Sequence, residues 1–337
     1  MKERIGFILA GSTPLDLIIP LVKGCKKFEY FVYCPKLTES QKRNLSINNI
    51  KFSTEYEFVM LNLPAFNVLI TFGLLPHLAH KQVIKLCSLF KKIGGEVIDF
   101  QHGLFQWGIN FCDNSIEQGF TPEAGISLPI RTLASEQLTW FGENGLGIPK
   151  IRYNTENSNF TLIVTNTNWH VYKIEEKIRL ARIIYYYVKE NPNIEFVWKP
   201  HPAEFNVNLT VIFSHFCFDD LPNLKITTHG EKGQSLEELI STCNNIIATV
   251  GSSLIDAQIY NKPTTVYRCS SMSHLISQFK CIESFDSLDE LREGFGEIFY
   301  DEIKFFDVSV FTKIVKRRTK EISYSDYLAH VGDELNA

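Results

Sequence analysis

The sequence NNIIATVGSSLIDAQIYNKPTTVYRC, residues 244–269, contains the repeating unit that decides the fold. Its first part, residues 244–251, is a short apolar run of the kind that forms a buried strand. Residues 252–261 have apolar side chains at helical spacing, and residues 262–269 return to β-branched and aromatic types. Two strands with a helix between them predict a βαβ unit, in which the strands are parallel and the helix covers one face of the sheet.

The same alternation of strands and helices continues on both sides of this unit. The second half has further predicted strands at 159–167, 194–200 and 224–230, and helices at 174–192 and 235–243. The first half has predicted strands at 4–11, 30–35, 67–73, 96–103 and 130–135, with a helix at 76–94. We therefore predict an α/β protein with two doubly wound, Rossmann-like domains facing a central cleft.

A segment rich in Gly and Asn, residues 141–159, separates the two halves and predicts a hinge. We expect an N-terminal domain at 1–154 and a C-terminal domain at 155–310, which the motifs below assign to the acceptor and to a nucleotide-sugar, respectively. Residues 311–337 begin with helical periodicity and are expected to form a helical tail that packs back on the N-terminal domain.

Composition narrows the class of protein. The chain has 337 residues, 45% of them hydrophobic and 21% charged, with a net charge of −4, so no general basic field indicates nucleic acid. No run approaches 18 apolar residues, so no transmembrane helix is expected. The early run IGFILAG is predicted to be a first strand and not part of a signal peptide. The eight cysteines are scattered without a CxxC pair, as in a reducing cytoplasm, and we predict a cytoplasmic protein.

Polar residues follow four of the predicted strands, where doubly wound sheets bind their ligands. The residues at these strand ends are Gln101 and His102; Asn166 and Thr167; Lys199, His201 and Pro202; and Gly251, Ser252 and Ser253.

The group at 251–253 opens a predicted helix. The free N–H groups of a helix start attract anions, Gly251 allows close approach of the backbone, and the two serines can donate hydroxyls to a phosphate. An ordinary helix N-cap is the alternative, because Ser is favoured at that position in any helix.

Lys199 and His201 favour the phosphate interpretation. A lysine buried at a strand end is costly without an anionic partner. His201 stands between two prolines, whose fixed φ angles hold the imidazole rigidly. The alternative remains that His201 is a structural histidine hydrogen-bonded to a carbonyl. Together with the serines at the helix start, Lys199 and His201 predict a nucleotide-phosphate site that would stabilise a leaving group.

The motifs WKPHP at 198–202 and TVGSSLIDAQIYNKPT at 249–264 resemble the nucleotide-sugar half of GT-B glycosyltransferases. The nearest resemblance is to bacterial surface-polysaccharide transferases: capsule Kdo transferases, sialyltransferases and polysialyltransferases, and CDP-glycerol polyol-phosphate transferases. The resemblance implies a CMP- or CDP-activated donor, with His201 on the nucleotide and phosphate, and Ser252 and Ser253 on the phosphate.

The acceptor base is expected in the first domain. The run VIDFQHGLFQWG at 97–108 resembles a histidine motif of the polyol-phosphate transferases, which implies that His102 is the base. Histidine titrates near neutral pH, as a base must. Asp99 would orient His102 or act as base itself, and Glu136 is a third candidate; a core histidine is the alternative for His102. The Glu/Asp-Asp-Gly motif of the sialyltransferases is not found.

These observations predict a metal-independent glycosyltransferase without a cofactor. It would move a sugar such as Kdo or sialic acid from a CMP-linked donor to a glycan or glycolipid acceptor in capsule or lipopolysaccharide synthesis. The basic segment 313–322 would attract anionic lipid headgroups if it has a function beyond a solvated helix face.

Three alternatives stay open: a CDP-glycerol-type polyol-phosphate transferase, a UDP-sugar 2-epimerase and a non-catalytic nucleotide-sugar binding protein. The epimerases typically carry a His-Arg-x-Glu-Asn run after the first strand of their second domain. Residues 165–173 read TNTNWHVYK at that position and lack the arginine and the glutamate.

Overall fold

The structure is a computed structural model. It describes residues 2–74, 80–101, 109–110, 115–116, 133–138, 140, 145–149, 158–167, 172–201, 204, 215–227, 235–269, 276–277, 279–300, 306–325 and 327–328. The chain divides into two compact units. The N-terminal unit comprises Met1–Ile151 with Glu302–Ala337, and the C-terminal unit is Arg152–Asp301.

The described strands and helices alternate along the chain. The strands are β1 (Arg4–Ile8), β2 (Glu29–Tyr33), β3 (Lys51–Ser53), β4 (Val68–Phe72), β5 (Val97–Phe100), β6 (Ile109–Asn110), β7 (Ser115–Ile116), β8 (Glu136–Leu138), β9 (Phe160–Thr165), β10 (Glu195–Pro200), β11 (Leu224–Ile226), β12 (Asn245–Ala248), β13 (Thr264–Tyr267) and β14 (Glu283–Phe285). The helices are α1 (Leu15–Gly24), α2 (Glu39–Ile47), α3 (Tyr56–Leu61), α4 (Lys81–Lys92), α5 (Ile174–Glu190), α6 (Leu236–Thr242), α7 (Ser253–Ile259), α8 (Leu288–Glu293) and α9 (Val308–Arg318).

Each unit is built on a six-stranded parallel sheet. The strand order is β3-β2-β1-β4-β5-β8 in the N-terminal unit and β11-β10-β9-β12-β13-β14 in the C-terminal unit. Both orders are the doubly wound pattern, in which the first strand lies in the middle and the connections run outward on either side. The predicted fold class, two doubly wound Rossmann-like domains, is therefore confirmed.

The central strands show why the sequence forms these sheets. Every residue of β4 (VLITF) and of β9 (FTLIVT) is buried. Parallel sheets are covered on both faces, so their strands are nearly continuous apolar runs. Helix α4 packs on β4 and β5, with Val83, Cys87 and Phe90 on its buried side. This spacing of three and four residues is the amphipathic pattern expected of a covering helix.

The C-terminal segment packs within the N-terminal unit. Phe311 of α9 is fully buried, with its ring centroid 6.2 Å from that of Phe100. Further along, the Lys320 backbone N–H donates to the Asn67 carbonyl at 2.9 Å, and the Asn67 side-chain amide donates to the Lys320 carbonyl at 3.1 Å. The predicted functions of the two domains and of the tail stay predictions.

The position of the last strand of the N-terminal sheet corrects one prediction. The described part of the predicted strand 130–135 is not extended, and β8 begins at Glu136. Three residues at the edge of a sheet carry too little periodicity to be located from sequence.

Glutamates of the same unit neutralise much of the positive charge of the basic segment 313–322 through ion pairs. The Arg317 guanidinium lies 2.6 Å from a Glu136 carboxylate oxygen, and the Lys320 ammonium lies 2.5 Å from Glu96. Arg318 also pairs with Glu136, at 3.0 Å. Among the described residues, no helix combines the length and the apolar character needed to cross a membrane.

Candidate functional site

The carboxyl edge of the C-terminal sheet brings three of the predicted strand ends together. Strand β9 lies between β10 and β12, with Thr165 paired to Pro200 and Val164 paired to Ala248. The chain runs from β9 outward to β10 and β11, and then crosses to β12 on the other side of β9. Doubly wound sheets bind ligands at such a reversal of the strand order. The residues that follow β9, β10 and β12 therefore share one edge, with one strand between His201 and Gly251.

A buried carboxylate, Glu204, ties two of these strand ends together. Glu204 is 1% exposed and accepts hydrogen bonds from the Thr165 hydroxyl at 2.9 Å and from the His201 backbone N–H at 2.8 Å. The Thr167 backbone N–H and hydroxyl donate to its other oxygen at 2.6 and 2.5 Å. Carboxylates that accept several such bonds hold their donors firmly, because bonds to a charged group are among the stronger ones in proteins.

Basic groups surround Glu204. Burial lowers the pKa of Lys177, on α5, and the negative charge of Glu204 opposes that effect. The pKa of the His201 imidazole is lowered in the same way, by burial of its surroundings, with Glu204 again opposing. Glu204 thus supplies an internal anion for two basic side chains at this edge.

Sequence reasoning missed Glu204. The available signal was its position two residues after Pro202, in the run KPHPAEF, where a buried lysine and a histidine call for an anion. From the sequence, we assign a phosphate to these groups and do not identify this carboxylate.

The predicted donor-binding residues fall into a buried and an accessible group. Thr167, Lys199 and Ser253 are buried, and desolvation lowers the pKa of Lys199. The accessible group retains exposed surface and comprises Asn166, His201, Gly251 and Ser252. Pro202 lies outside the described residues. Only the residues of the accessible group have the exposed surface that direct contact with a ligand requires, among those that the structure describes.

The end of β12 has open space above it. A Cβ built on Gly251 would meet nothing within 4 Å. Ser252 precedes α7 with helical dihedral angles, φ −60° and ψ −23°, and its side chain makes no capping hydrogen bond to the helix. Ser252 thus occupies the N-cap position without a side-chain capping bond, and its role at a phosphate stays a prediction. Asp256, one turn further along α7, is buried and does not face solvent.

Asn166 links β9 to the end of β12. Its backbone N–H donates to the Thr249 hydroxyl at 2.8 Å. Its side-chain oxygen, Oδ1, is buried and has no hydrogen-bond partner among the described residues. A buried acceptor without a donor is costly, so a ligand that donates here would gain binding energy.

In the N-terminal unit, Asp99 lies near the carboxyl end of β5 and is completely buried. It accepts hydrogen bonds from the Thr71 hydroxyl at 2.6 Å and from the Leu74 backbone N–H at 3.2 Å. Burial raises the pKa of Asp99 to about 7, although these donors oppose the shift. In this structure the carboxyl supports the turn after β4. Its predicted partner His102 lies outside the described residues, and the role of both as base stays a prediction.

Glu136 corrects the third prediction of a base. It is the first residue of β8 and pairs with Ile98 in the parallel neighbour β5. It therefore lies toward the amino edge of the sheet and does not follow a strand as expected. Its carboxylate accepts hydrogen bonds from the guanidinium groups of Arg317 and Arg318. These ion pairs join β8 to α9, and the role of Glu136 as a base stays a prediction.

Within the described ranges, no group of three or more His, Cys, Asp or Glu side chains could hold a metal ion. The predicted independence of metals and cofactors stays a prediction.

No known family profile matches this sequence, and no curated protein matches it. Solved structures do match its fold. The UDP-GlcNAc 2-epimerase from Methanocaldococcus jannaschii is similar with a TM-score of 0.59 and 12% identity, over 93% of this chain and 99% of that one. The S. aureus protein MnaA, in a structure with UDP, has a TM-score of 0.57 and 13% identity, over 86% of each chain. The Neisseria meningitidis UDP-GlcNAc 2-epimerase, bound to UDP-GlcNAc, has a TM-score of 0.54 and 13% identity, over 99% of this chain and all of that one.

These similarities support the GT-B type of fold and overturn the more specific expectation. The expected family was a transferase that uses a CMP-linked Kdo or sialic acid for capsule or lipopolysaccharide synthesis. The three structures named above are instead UDP-GlcNAc 2-epimerases or contain UDP.

Proposed function

We propose that this chain is an enzyme that binds a UDP-sugar and inverts the configuration at carbon 2 of the sugar. The observation that carries the proposal is the reversal of strand order between β9 and β12, where His201, Gly251 and Ser252 keep exposed surface. The fold of the chain resembles UDP-GlcNAc 2-epimerases over most of its length. Likeness at this identity supports a fold, so the nature of the ligand rests on the residues at this edge of the sheet.

The diphosphate would bind over the end of β12. The open space at Gly251 allows an oxygen to approach the backbone, and Ser252 has exposed surface beside it. His201 is exposed two strands away, a spacing of about 10 Å, which is within reach of the two ends of a nucleoside diphosphate. The neighbouring Lys177 and Lys199 add positive potential from inside the sheet edge.

Binding of an anion would also change the protonation of His201. Its lowered pKa leaves the imidazole neutral at neutral pH. A nearby diphosphate favours the charged form, so UDP binding should take up a proton below neutral pH. The Asn166 oxygen supplies an acceptor for a donor group of the ligand.

A second candidate is a nucleotide-sugar binding protein without turnover. The observation that favours it is the run after β9, where residues 165–173 lack the arginine and glutamate typical of the epimerases. The two candidates share the binding site and differ only in chemistry.

Two measurements on the full chain separate them. Calorimetric titration with UDP and with CMP tests the site, and we expect UDP to bind more tightly. Inversion at carbon 2 breaks and remakes the C2–H bond, so incubation with UDP-GlcNAc in D2O should replace that hydrogen with deuterium, as seen by proton NMR. Binding without exchange would select the second candidate. Absence of UDP binding, or tighter binding of CMP, would contradict both.

A further inference from the structure

The N-terminal unit carries a groove that its predicted ligand edge does not explain. The groove has a volume of about 800 Å³. It is lined by the starts of three neighbouring strands, at Arg4, Glu29 and Lys51, and by the end of α1. Because these strands are parallel, their starts define the amino edge of the sheet. Doubly wound proteins bind their substrates at the other edge.

The lining of the groove is basic. Five cations contribute to it: Lys2, Arg4, Lys23, Lys26 and Lys51. Glu29 is the one carboxylate among the described lining residues, and it pairs with Arg4 at 3.2 Å. Within the described part of the chain, the four lysines take part in no ion pair, so the groove has a strong positive potential.

Apolar side chains border this basic surface. Ile47, at the end of α2, is 72% exposed, and Phe58 on α3 is 46% exposed; both line the groove. Leu61, one turn after Phe58 on α3, is 52% exposed. Exposed apolar side chains beside lysines are the combination found on proteins that lie at the surface of a bilayer.

The basic segment 313–322 contrasts with the groove. Arg317, Arg318 and Lys320 are paired with Glu136 and Glu96 and are thus largely neutralised within the unit. The groove keeps its charges available, and exposed apolar groups accompany them.

We propose that this groove docks the N-terminal unit on an anionic lipid bilayer. The lysines attract the headgroup phosphates, and Ile47, Phe58 and Leu61 enter the boundary of the acyl chains. The apolar border favours a bilayer over a soluble polyanion, which would leave these side chains in water. Because the groove lies at the amino edge, docking leaves the carboxyl edge open, and the proposal is independent of the reaction.

Sedimentation of the full chain with vesicles tests the proposal. We expect binding to phosphatidylcholine vesicles that contain phosphatidylglycerol, little binding to pure phosphatidylcholine, and loss of binding at high salt. The double variant Lys23→Gln/Lys26→Gln should lower the partition coefficient by about 25-fold, about fivefold per lysine. Ile47→Ser should lower it by about fivefold, because this side chain would leave the lipid boundary.

Matched controls come from the C-terminal unit. Lys225→Gln removes an exposed lysine and Ile174→Ser an exposed isoleucine, and neither should change vesicle binding. Thermal denaturation checks that all variants fold. Equal binding to neutral vesicles, undiminished binding of the groove variants, or binding of a soluble anionic polysaccharide without vesicle binding would overturn the proposal.

Discussion

Asp99 in the N-terminal unit and Glu204 in the C-terminal unit are buried carboxyl groups near the carboxyl edges of sheets with the same strand order. Asp99 accepts bonds from neutral donors, and burial raises its pKa to about 7. Glu204 accepts bonds from three residues and also faces the basic groups of Lys177 and His201.

The difference shows that two sheets with the same strand order can have carboxyl edges with different electrostatic properties. Neutral donors cannot offset the cost of burying a charge, so the Asp99 carboxyl holds a proton near neutral pH. Glu204 instead lies near two basic side chains, Lys177 and His201, which are suited to a phosphate. The nucleotide is therefore expected in the C-terminal unit.

The largest effect is expected from Glu204→Ala. The substitution leaves the donors of Thr165, Thr167 and His201 without their acceptor, and each unsatisfied buried donor is costly. We expect unfolding free energy to fall by about 3–5 kcal/mol, and UDP binding to be lost. Denaturant unfolding and calorimetry measure these changes. Glu195→Ala, on the exposed start of β10, is the control and should cost under about 0.5 kcal/mol. An equal loss in both variants would contradict the role of Glu204.

Asp99→Asn tests the other carboxyl through pH. The folded pKa of about 7 exceeds the ordinary 3.8, so the folded chain keeps a proton that the unfolded chain releases. Asp99 therefore lowers the stability of the wild type as pH rises from about 4 to 7. The asparagine variant lacks this dependence, and its stability relative to wild type should rise by about 2 kcal/mol between pH 5 and pH 7. Urea unfolding across this range measures it; a constant difference would show that the carboxyl is ionised throughout.

Gly251→Ala tests whether the nucleotide binds at the end of β12 in the C-terminal unit, without disturbing the fold. Its new methyl group meets nothing within 4 Å, so stability should not change measurably. The methyl would occupy the space that we assign to a phosphate oxygen, and UDP affinity should fall about tenfold, or 1.4 kcal/mol. Gly11→Ala, in similarly open space after β1, is the matched control in the N-terminal unit. Calorimetric affinities that fall equally, or not at all, would remove the nucleotide from the end of β12.

The smallest effect is expected from Glu136→Gln. This side chain pairs with Arg317, which is 61% exposed, and exposed pairs contribute about 0–1 kcal/mol. We expect a loss of stability within that range and unchanged turnover of a UDP-sugar. A large fall in turnover with an intact fold would return Glu136 to the candidate bases.

Much of the architecture could be predicted from sequence, because buried parallel strands are continuous apolar runs. Strands β4 and β9 are the clearest cases. Strand β3 was missed and β8 misplaced, since each has three residues at or near a sheet edge.

The candidate site could be predicted only in part. The strand-end positions of His201 and Gly251 follow from the alternation of strands and helices. Glu204 does not, because its partners Thr165 and Thr167 lie 39 and 37 residues away in the chain. Which of the polar side chains are buried likewise depends on packing that a single sequence does not encode locally.

The route of the chain through the two units has a consequence for synthesis on the ribosome. The C-terminal unit is one continuous segment of the chain, Arg152–Asp301. The N-terminal unit includes α9, which is translated only after the whole C-terminal unit. Phe311, which packs beside Phe100, is therefore synthesised about 200 residues after it, and its place in the N-terminal core is empty until then. We expect nascent chains arrested before α9 to expose this apolar pocket and to attract chaperones.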